Sequence, residues 1–223
     1  MRIDVFTLVP HAFAWMCEQR PIAAVLGSSL DLRIFGYRQF SPLKSGDVDD
    51  APYGGGGGMV LRVDVVDAAL TAAYGPGGAR KPGRRVAALT PGGRQLDQAL
   101  VEELADEDEL TLLSSRFEGF DARVVEHLVD ETVSIGPYVL SGGEIPAMAV
   151  VDAVARRLPG ALSTSESVEF ESFGVGFDRR VEHPHYTRPA AYRGWDVPDV
   201  LLSGDHARIA DWRRDHTLER NSA

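Results

Sequence analysis

Residues 133–157 read VSIGPYVLSGGEIPAMAVVDAVARR. Val133–Leu140 is strand-like, although Gly136 and Pro137 interrupt it. Ser141-Gly142-Gly143-Glu144 is a loop of small residues. Ile145–Arg157 is an amphipathic helix, closed by Pro159-Gly160. The same order recurs upstream. Arg2–Leu8, Leu30–Phe35, Arg85–Leu89 and Leu110–Leu113 read as strands. His11–Leu26 (interrupted near Pro21), Val65–Tyr74, Gln95–Leu104 and Phe120–Val129 read as helices. Strands alternating with helices predict an α/β protein with a mainly parallel sheet. Residues 41–58 lack periodicity and read as one long loop. Residues 161–181 are polar and Ser-rich, which predicts a mobile linker. A last helix is expected near Ala207–Leu218, with Trp212 and Leu218 on its apolar side.

The composition is that of an ordinary globular chain of 223 residues, 44% hydrophobic and 25% charged. Cys17 is the only cysteine, which excludes a disulfide or a thiolate metal cage within one chain. The apolar start is short and broken by Asp4 and Pro10, so it is not read as a signal peptide. No stretch approaches the ~20 apolar residues of a membrane helix. A cytoplasmic protein with no membrane partner is expected. The formal charge of −10 argues against generic coating of nucleic acid but allows a local basic site. All of that net charge falls before residue 175; residues 175–223 carry eight Lys/Arg, eight Asp/Glu and four of the six histidines. The acidic run Glu102-Glu103 and Asp106-Glu107-Asp108-Glu109 reads as a solvated helix end and loop.

Three loops follow predicted strands: Thr90-Pro91-Gly92-Gly93-Arg94, Ser114–Gly119 and Ser141–Glu144. In open α/β sheets, ligands bind at the carboxyl ends of strands. Three such loops, carrying Arg116, Glu118 and Glu144, favour a site there. Asp49–Met59 holds five consecutive glycines, which cost backbone entropy in any ordered state and let a backbone approach a ligand closely. It contains no GxxxxGK[ST], so a Walker-type phosphate loop is rejected. His183-Pro184-His185 offers only two metal ligands, and nothing nearby completes a tetrahedral set, so no metal is expected. No G-x-S-x-G elbow is present, and covalent catalysis has no support.

Six segments together resemble the bacterial tRNA (guanine-N1)-methyltransferases, the TrmD family of the SPOUT superfamily. They are Val48–Met59 (VDDAPYGGGGGM), Leu89–Gln98 (LTPGGRQLDQ), Ser115–Val124 (SRFEGFDARV), Val133–Met148 (VSIGPYVLSGGEIPAM), His183–Pro189 (HPHYTRP) and Val200–His206 (VLLSGDH). They occur in the family's order over almost the whole chain. The resemblance implies a SPOUT-type parallel sheet with a deep trefoil knot in its carboxyl part. It also implies a small helical C-terminal domain, S-adenosylmethionine as methyl donor, and a homodimer with its active site between subunits. The implied division is 1–160 for the methyltransferase domain, 161–181 for the linker and 182–223 for the helical domain. The implied acceptor is N1 of the guanosine on the 3′ side of the tRNA anticodon, position 37.

Carried over position by position, the resemblance assigns the cofactor to Leu89, Thr90, Pro91, Ser115, Phe117, Glu118, Gly119, Ile135, Gly136, Tyr138, Leu140, Gly142 and Gly143. It assigns substrate contacts to Asp50, Tyr53, Gly56, Glu118, His185 and Arg188. Guanine N1 carries a proton, so a general base must remove it and a cation should stabilise charge on O6. Glu182 is implied as the base and Arg156 as the cation. The chain departs from the family at Ser41–Asp47, where Asp-Arg-His is usual, at Ser115 for glycine, and at Pro137 for aspartate. These departures keep open a paralogue that methylates another RNA site or a small molecule.

Overall fold

A computed structural model describes residues 1–162 and 171–218, so part of the 161–181 segment read as a mobile linker lies outside the described residues. The chain divides into two compact units, Met1–Leu162 and Ser163–Ala223. Among the described residues no helix is long and apolar enough to cross a membrane.

The first unit runs β1 (Arg2–Thr7), α1 (Ala14–Glu18), α2 (Ile22–Val25), β2 (Asp31–Gly36), β3 (Asp49–Asp50), β4 (Val60–Leu61), α3 (Val63–Tyr74), β5 (Arg84–Gln95), α4 (Gln98–Ala105), β6 (Glu109–Ser114), α5 (Ala122–His127), β7 (Glu131–Ser134) and α6 (Glu144–Ala155). Five strands form one parallel sheet in the order β2-β1-β6-β5-β7. Successive side chains alternate between its faces, as a pleated strand requires. Ile3, Val5, Ala87, Leu89, Leu110 and Leu112 point to one face, where they pack with residues of α1, α2, α4 and α6. Phe6, Val86, Ala88 and Leu113 point to the other, against α3 and α5. Helices on both faces bury the central strands completely, which is why these strands read as near-continuous apolar runs. Polar side chains are buried among them, including Thr7, Thr111 and Asp4; Asp4 holds the Arg33 guanidinium at 2.7 and 2.8 Å and accepts from Tyr74 Oη at 2.6 Å.

Several elements differ from the expectation. The strand expected over Val133–Leu140 ends at Ser134. Ser134 Oγ accepts from the Gly136 N–H at 3.2 Å, turning the chain, and Pro137 has no N–H with which to continue a ladder. β5 runs on through Pro91-Gly92-Gly93 to Gln95, pairing with β7 before and after a register shift between Leu89 and Arg94. The small-residue stretch is therefore a bulge within a strand. Helix α4 accordingly starts at Gln98, with Asp97 accepting from Leu100 N–H at 2.9 Å as its N-cap. His11–Leu26 is a 3-10 turn, Pro10–Phe13, followed by the two short helices α1 and α2. Within the expected loop 41–58, Asp49–Asp50 pairs antiparallel with Val60–Leu61. The acidic run is exposed at Glu103, Asp106 and Asp108, in keeping with a solvated helix end and loop, and it also carries ion pairs: Glu103 grips Arg94 at 2.7 and 2.6 Å, which pulls its carboxyl pKa down to about 2. Glu109 meets Arg2, Lys81 and Arg84.

The described part of the second unit holds a two-stranded ribbon, Ala191–Tyr192 with Trp195–Asp196, and helices Asp199–Leu202 and His206–Asp215. The last helix thus stops before Leu218, which instead pairs with Val181 in an isolated bridge.

Candidate active site

The strand order makes β6, β5 and β7 neighbours, so their carboxyl ends lie side by side. The three chain segments there enclose a cavity of about 290 Å³. All thirteen residues that the resemblance assigns to the cofactor line it, from Leu89 on β5 to Gly143 at the start of α6. Close backbone approach holds the loops together. Gly143 N–H donates to Ser115 O at 2.8 Å, and Ser114 Oγ–H donates to Gly143 O at 3.0 Å. A Cβ on Gly143 would lie 2.7 Å from Ser114 Cα, so only glycine closes this junction. The loop after β6 turns through Phe117 at φ 63°, a left-handed conformation uncommon for a bulky residue. Ser115, the departure from glycine, does not have positive φ, and its carbonyl serves the Gly143 contact. Pro137 is exposed and does not line the cavity.

The lining suits a heteroaromatic ligand. Leu89, Val133, Leu140 and Pro146 supply apolar walls. The N–H groups of Leu140 and Gly142 have no hydrogen-bond partner among the described residues and remain as donors. Only Arg116 and Glu118 are charged among the lining residues. Arg116, Val133, Ser134, Val139, Ser141 and Pro146 line the cavity without having been assigned to it. Arg116 stands inside the quoted SRFEGFDARV string, but its partner Glu144, 28 residues on, is legible only once the loops meet.

Glu118 joins this cavity to the glycine loop. Its N–H donates to Met59 O at 2.9 Å, and Leu61 N–H donates to Gly119 O at 2.9 Å. Gly58 has φ +79°, and a Cβ there would lie 2.3 Å from Glu118 Oε1. Asp50 and Tyr53 border a separate open concavity of about 880 Å³ with Arg62 and Arg123; Tyr53 is fully exposed. Gly56, at φ +130°, lines neither depression.

Arg156 is the C-cap of α6. The helix separates it from Gly143 by about 18 Å, and it does not line this cavity. Glu182, His185 and Arg188 belong to the second unit. Glu182 Oε2 lies 2.8 Å from His185 Nε2, and its Oε1 accepts from Ser172 Oγ at 3.3 Å. His183, Tyr186, Arg188, Trp212 and Arg213 border a cavity of about 320 Å³ there. Trp212 stacks on His216 at 4.0 Å and meets His183 and Tyr186 edge-on. Burial, then the nearby charge of His185 and Arg213, pulls the His183 pKa below its ordinary value.

A parallel α/β unit with a small-residue cavity at three adjacent strand ends defines a ligand-binding doubly wound protein. The comparisons make it particular. The family model for tRNA (guanine-1)-methyltransferase TrmD matches residues 1–223, and the chain belongs to this family. It is 46% identical over 228 residues to a tRNA (guanine-N(1)-)-methyltransferase of Brevibacillus brevis, covering 100% of this chain and 89% of that protein. Relatives of the same name from Dehalococcoides mccartyi and Listeria welshimeri are 44% and 42% identical, each over 99% of this chain and 87% and 88% of theirs.

Proposed function

We propose that this chain is an S-adenosylmethionine-dependent methyltransferase acting on N1 of the guanosine 3′ to the tRNA anticodon. The observation that carries the reading is the single cavity in which all thirteen motif residues meet. Adenine needs backbone donors at its edge and apolar walls on its faces, and the cavity offers both. S-adenosylmethionine supplies an electrophilic methyl group; the chain's own residues hold the reactants in line, which lowers the barrier by positioning. The alternative acceptor, another RNA site or a small molecule, draws no support from the names of the relatives.

In this reading Glu182 accepts the N1 proton and Arg156 stabilises charge on O6. Arg156 is a helix length from its own cavity, which favours a homodimer in which it serves the cavity of a second copy. The same reading carries the trefoil knot in the carboxyl part of the first domain (1–160), the linker 161–181, the RNA-holding domain 182–223 and a cytoplasmic location. Asp50, Tyr53, Gly56, His185 and Arg188 are the proposed RNA contacts. Glu182 already accepts from Ser172 and contacts His185, and Glu171 is the neighbour of that serine. Glu171 is the carboxylate of the same segment to test beside it.

The test is methyl transfer from labelled S-adenosylmethionine to total tRNA, followed by nucleoside analysis. The label is expected in 1-methylguanosine; label in another nucleoside favours the alternative acceptor. Glu182→Gln is expected to reduce turnover by ~10²–10⁴-fold with cofactor affinity kept, and Glu182→Asp to retain activity. A loss confined to Glu171→Gln moves the role of base to Glu171.

A further inference from the structure

Glu144 is a carboxylate only 4% exposed, at the start of α6 beneath the cavity. It accepts from Thr7 Oγ1 at 2.8 Å and from Arg116 Nε at 3.3 Å. Thr7 is itself buried and accepts from Val9 N–H at 3.0 Å, which leaves its hydroxyl proton for Glu144. A buried carboxylate needs a counter-charge, and Arg116 is its only ion-pair partner among the described residues. Gly142 lies against both: a Cβ there would fall 2.4 Å from Glu144 Oε2 and 2.9 Å from Arg116 Cγ. Groups from β1, the loop after β6 and α6 thus hold the Arg116 side chain in one direction.

That direction is into the cavity. Arg116 lines it, its side chain is 39% exposed, and only its Nε is engaged. Its two terminal nitrogens have no partner among the described residues. The other charged lining residue, Glu118, stands two positions along the same loop. One guanidinium and one carboxylate, set in walls that are otherwise uncharged, complement a zwitterion. A planar guanidinium fork also matches a carboxylate in two-point geometry.

Resting on the reading that S-adenosylmethionine fills this cavity, we infer that Arg116 binds the α-carboxylate of the donor's amino-acid tail. Glu144 and Thr7 are the positioning residues that aim it. The adjacent Glu118 carboxylate suits the tail's ammonium group.

Calorimetric binding of two cofactor fragments tests this without turnover. S-adenosylhomocysteine carries the tail; 5′-methylthioadenosine keeps the nucleoside and lacks it. The unaltered protein is expected to bind the first about 10- to 100-fold more tightly, the range of one charge-assisted pair. Arg116→Gln should remove most of that ratio by weakening S-adenosylhomocysteine alone, and Arg116→Lys should restore part of it. Glu144→Gln and Thr7→Val should weaken S-adenosylhomocysteine several-fold and leave methylthioadenosine unchanged. Equal affinities in the unaltered protein, or parallel losses for both ligands in the variants, overturn the inference. If Arg116→Gln does not fold, the unaltered ratio and the Lys variant decide it. If neither ligand binds the unaltered protein, the cofactor reading falls, and this inference with it.

Discussion

The two units each carry a cavity of similar volume, about 290 and 320 Å³, built by opposite means. In the first, the walls are strand ends and backbone, and two clusters of buried apolar side chains stand behind them. In the second, the walls are side chains, with the rings of His183, His185, Tyr186 and Trp212 beside Val197, Leu201, Leu202 and Ile209. Among its described residues no apolar side chain is buried; the buried side chain is His183, edge-on to Phe177 and Trp212. Ring contacts contribute roughly 0.5–1.5 kcal/mol each beyond their buried area. A sheet buried on both faces draws on far more area. The first cavity is therefore preorganised by its core. The second has no such core among its described residues.

The largest expected effect tests that difference in stability. Leu112 is fully buried on the central strand β6, so Leu112→Ala should cost about 2–5 kcal/mol in chemical denaturation. Ile209→Ala, in the wall of the second cavity, should cost less than about 1 kcal/mol, because Ile209 is only half-buried. Comparable losses at the two positions would break the contrast.

A smaller effect is expected where the glycine loop meets the first cavity. Gly58→Ala forces a left-handed residue, costing about 1 kcal/mol, and pushes on Glu118. Methyl transfer should fall about tenfold in kcat/KM, and binding of S-adenosylhomocysteine should weaken by less, through the displaced Glu118 carboxylate. Should binding fall in step with turnover, the loop belongs to the cofactor site rather than the acceptor side.

The smallest effect is electrostatic and confined to the second unit. Burial holds the His183 pKa below its ordinary value of 6.5. Between the two values the unfolded chain binds a proton that the folded chain does not, so stability rises with pH across that window. The second unit should be at full stability above about pH 6.5 and weaken below it. Thermal melts at pH 7.5 and 5.5 should show a lower midpoint at the acid value, and His183→Gln should flatten the difference. An unchanged midpoint in the native protein would place His183 in a wetter setting than its neighbours indicate.

The legibility of the chain follows the same division. Strands β1 and β6 were readable to within a residue or two because burial on both faces leaves apolar runs that polar turns bound, and the partly buried edge strand β2 was readable from its alternation. Helix α6 was readable for its apolar side. Misreadings cluster at the cavity. β5 continues through a Pro-Gly-Gly bulge and β7 stops before an apolar Tyr-Val-Leu, both against local pattern. Tertiary pairing overrides propensity there: Gly93 must let β5 pass Val133, where a Cβ would lie 2.5 Å from its nitrogen.

Periodicity alone determines that strands and helices alternate, and the six motif strings determine the family, since both are properties of residue order. Which strands become neighbours is not such a property. The order β2-β1-β6-β5-β7 brings Leu89, Ser115 and Gly143 to one cavity from positions dozens of residues apart. The Thr7–Glu144–Arg116 chain likewise exists only after packing, because Thr7 and Glu144 are 137 residues apart. A buried carboxylate finds its counter-charge through space, and no spacing along the chain records that choice.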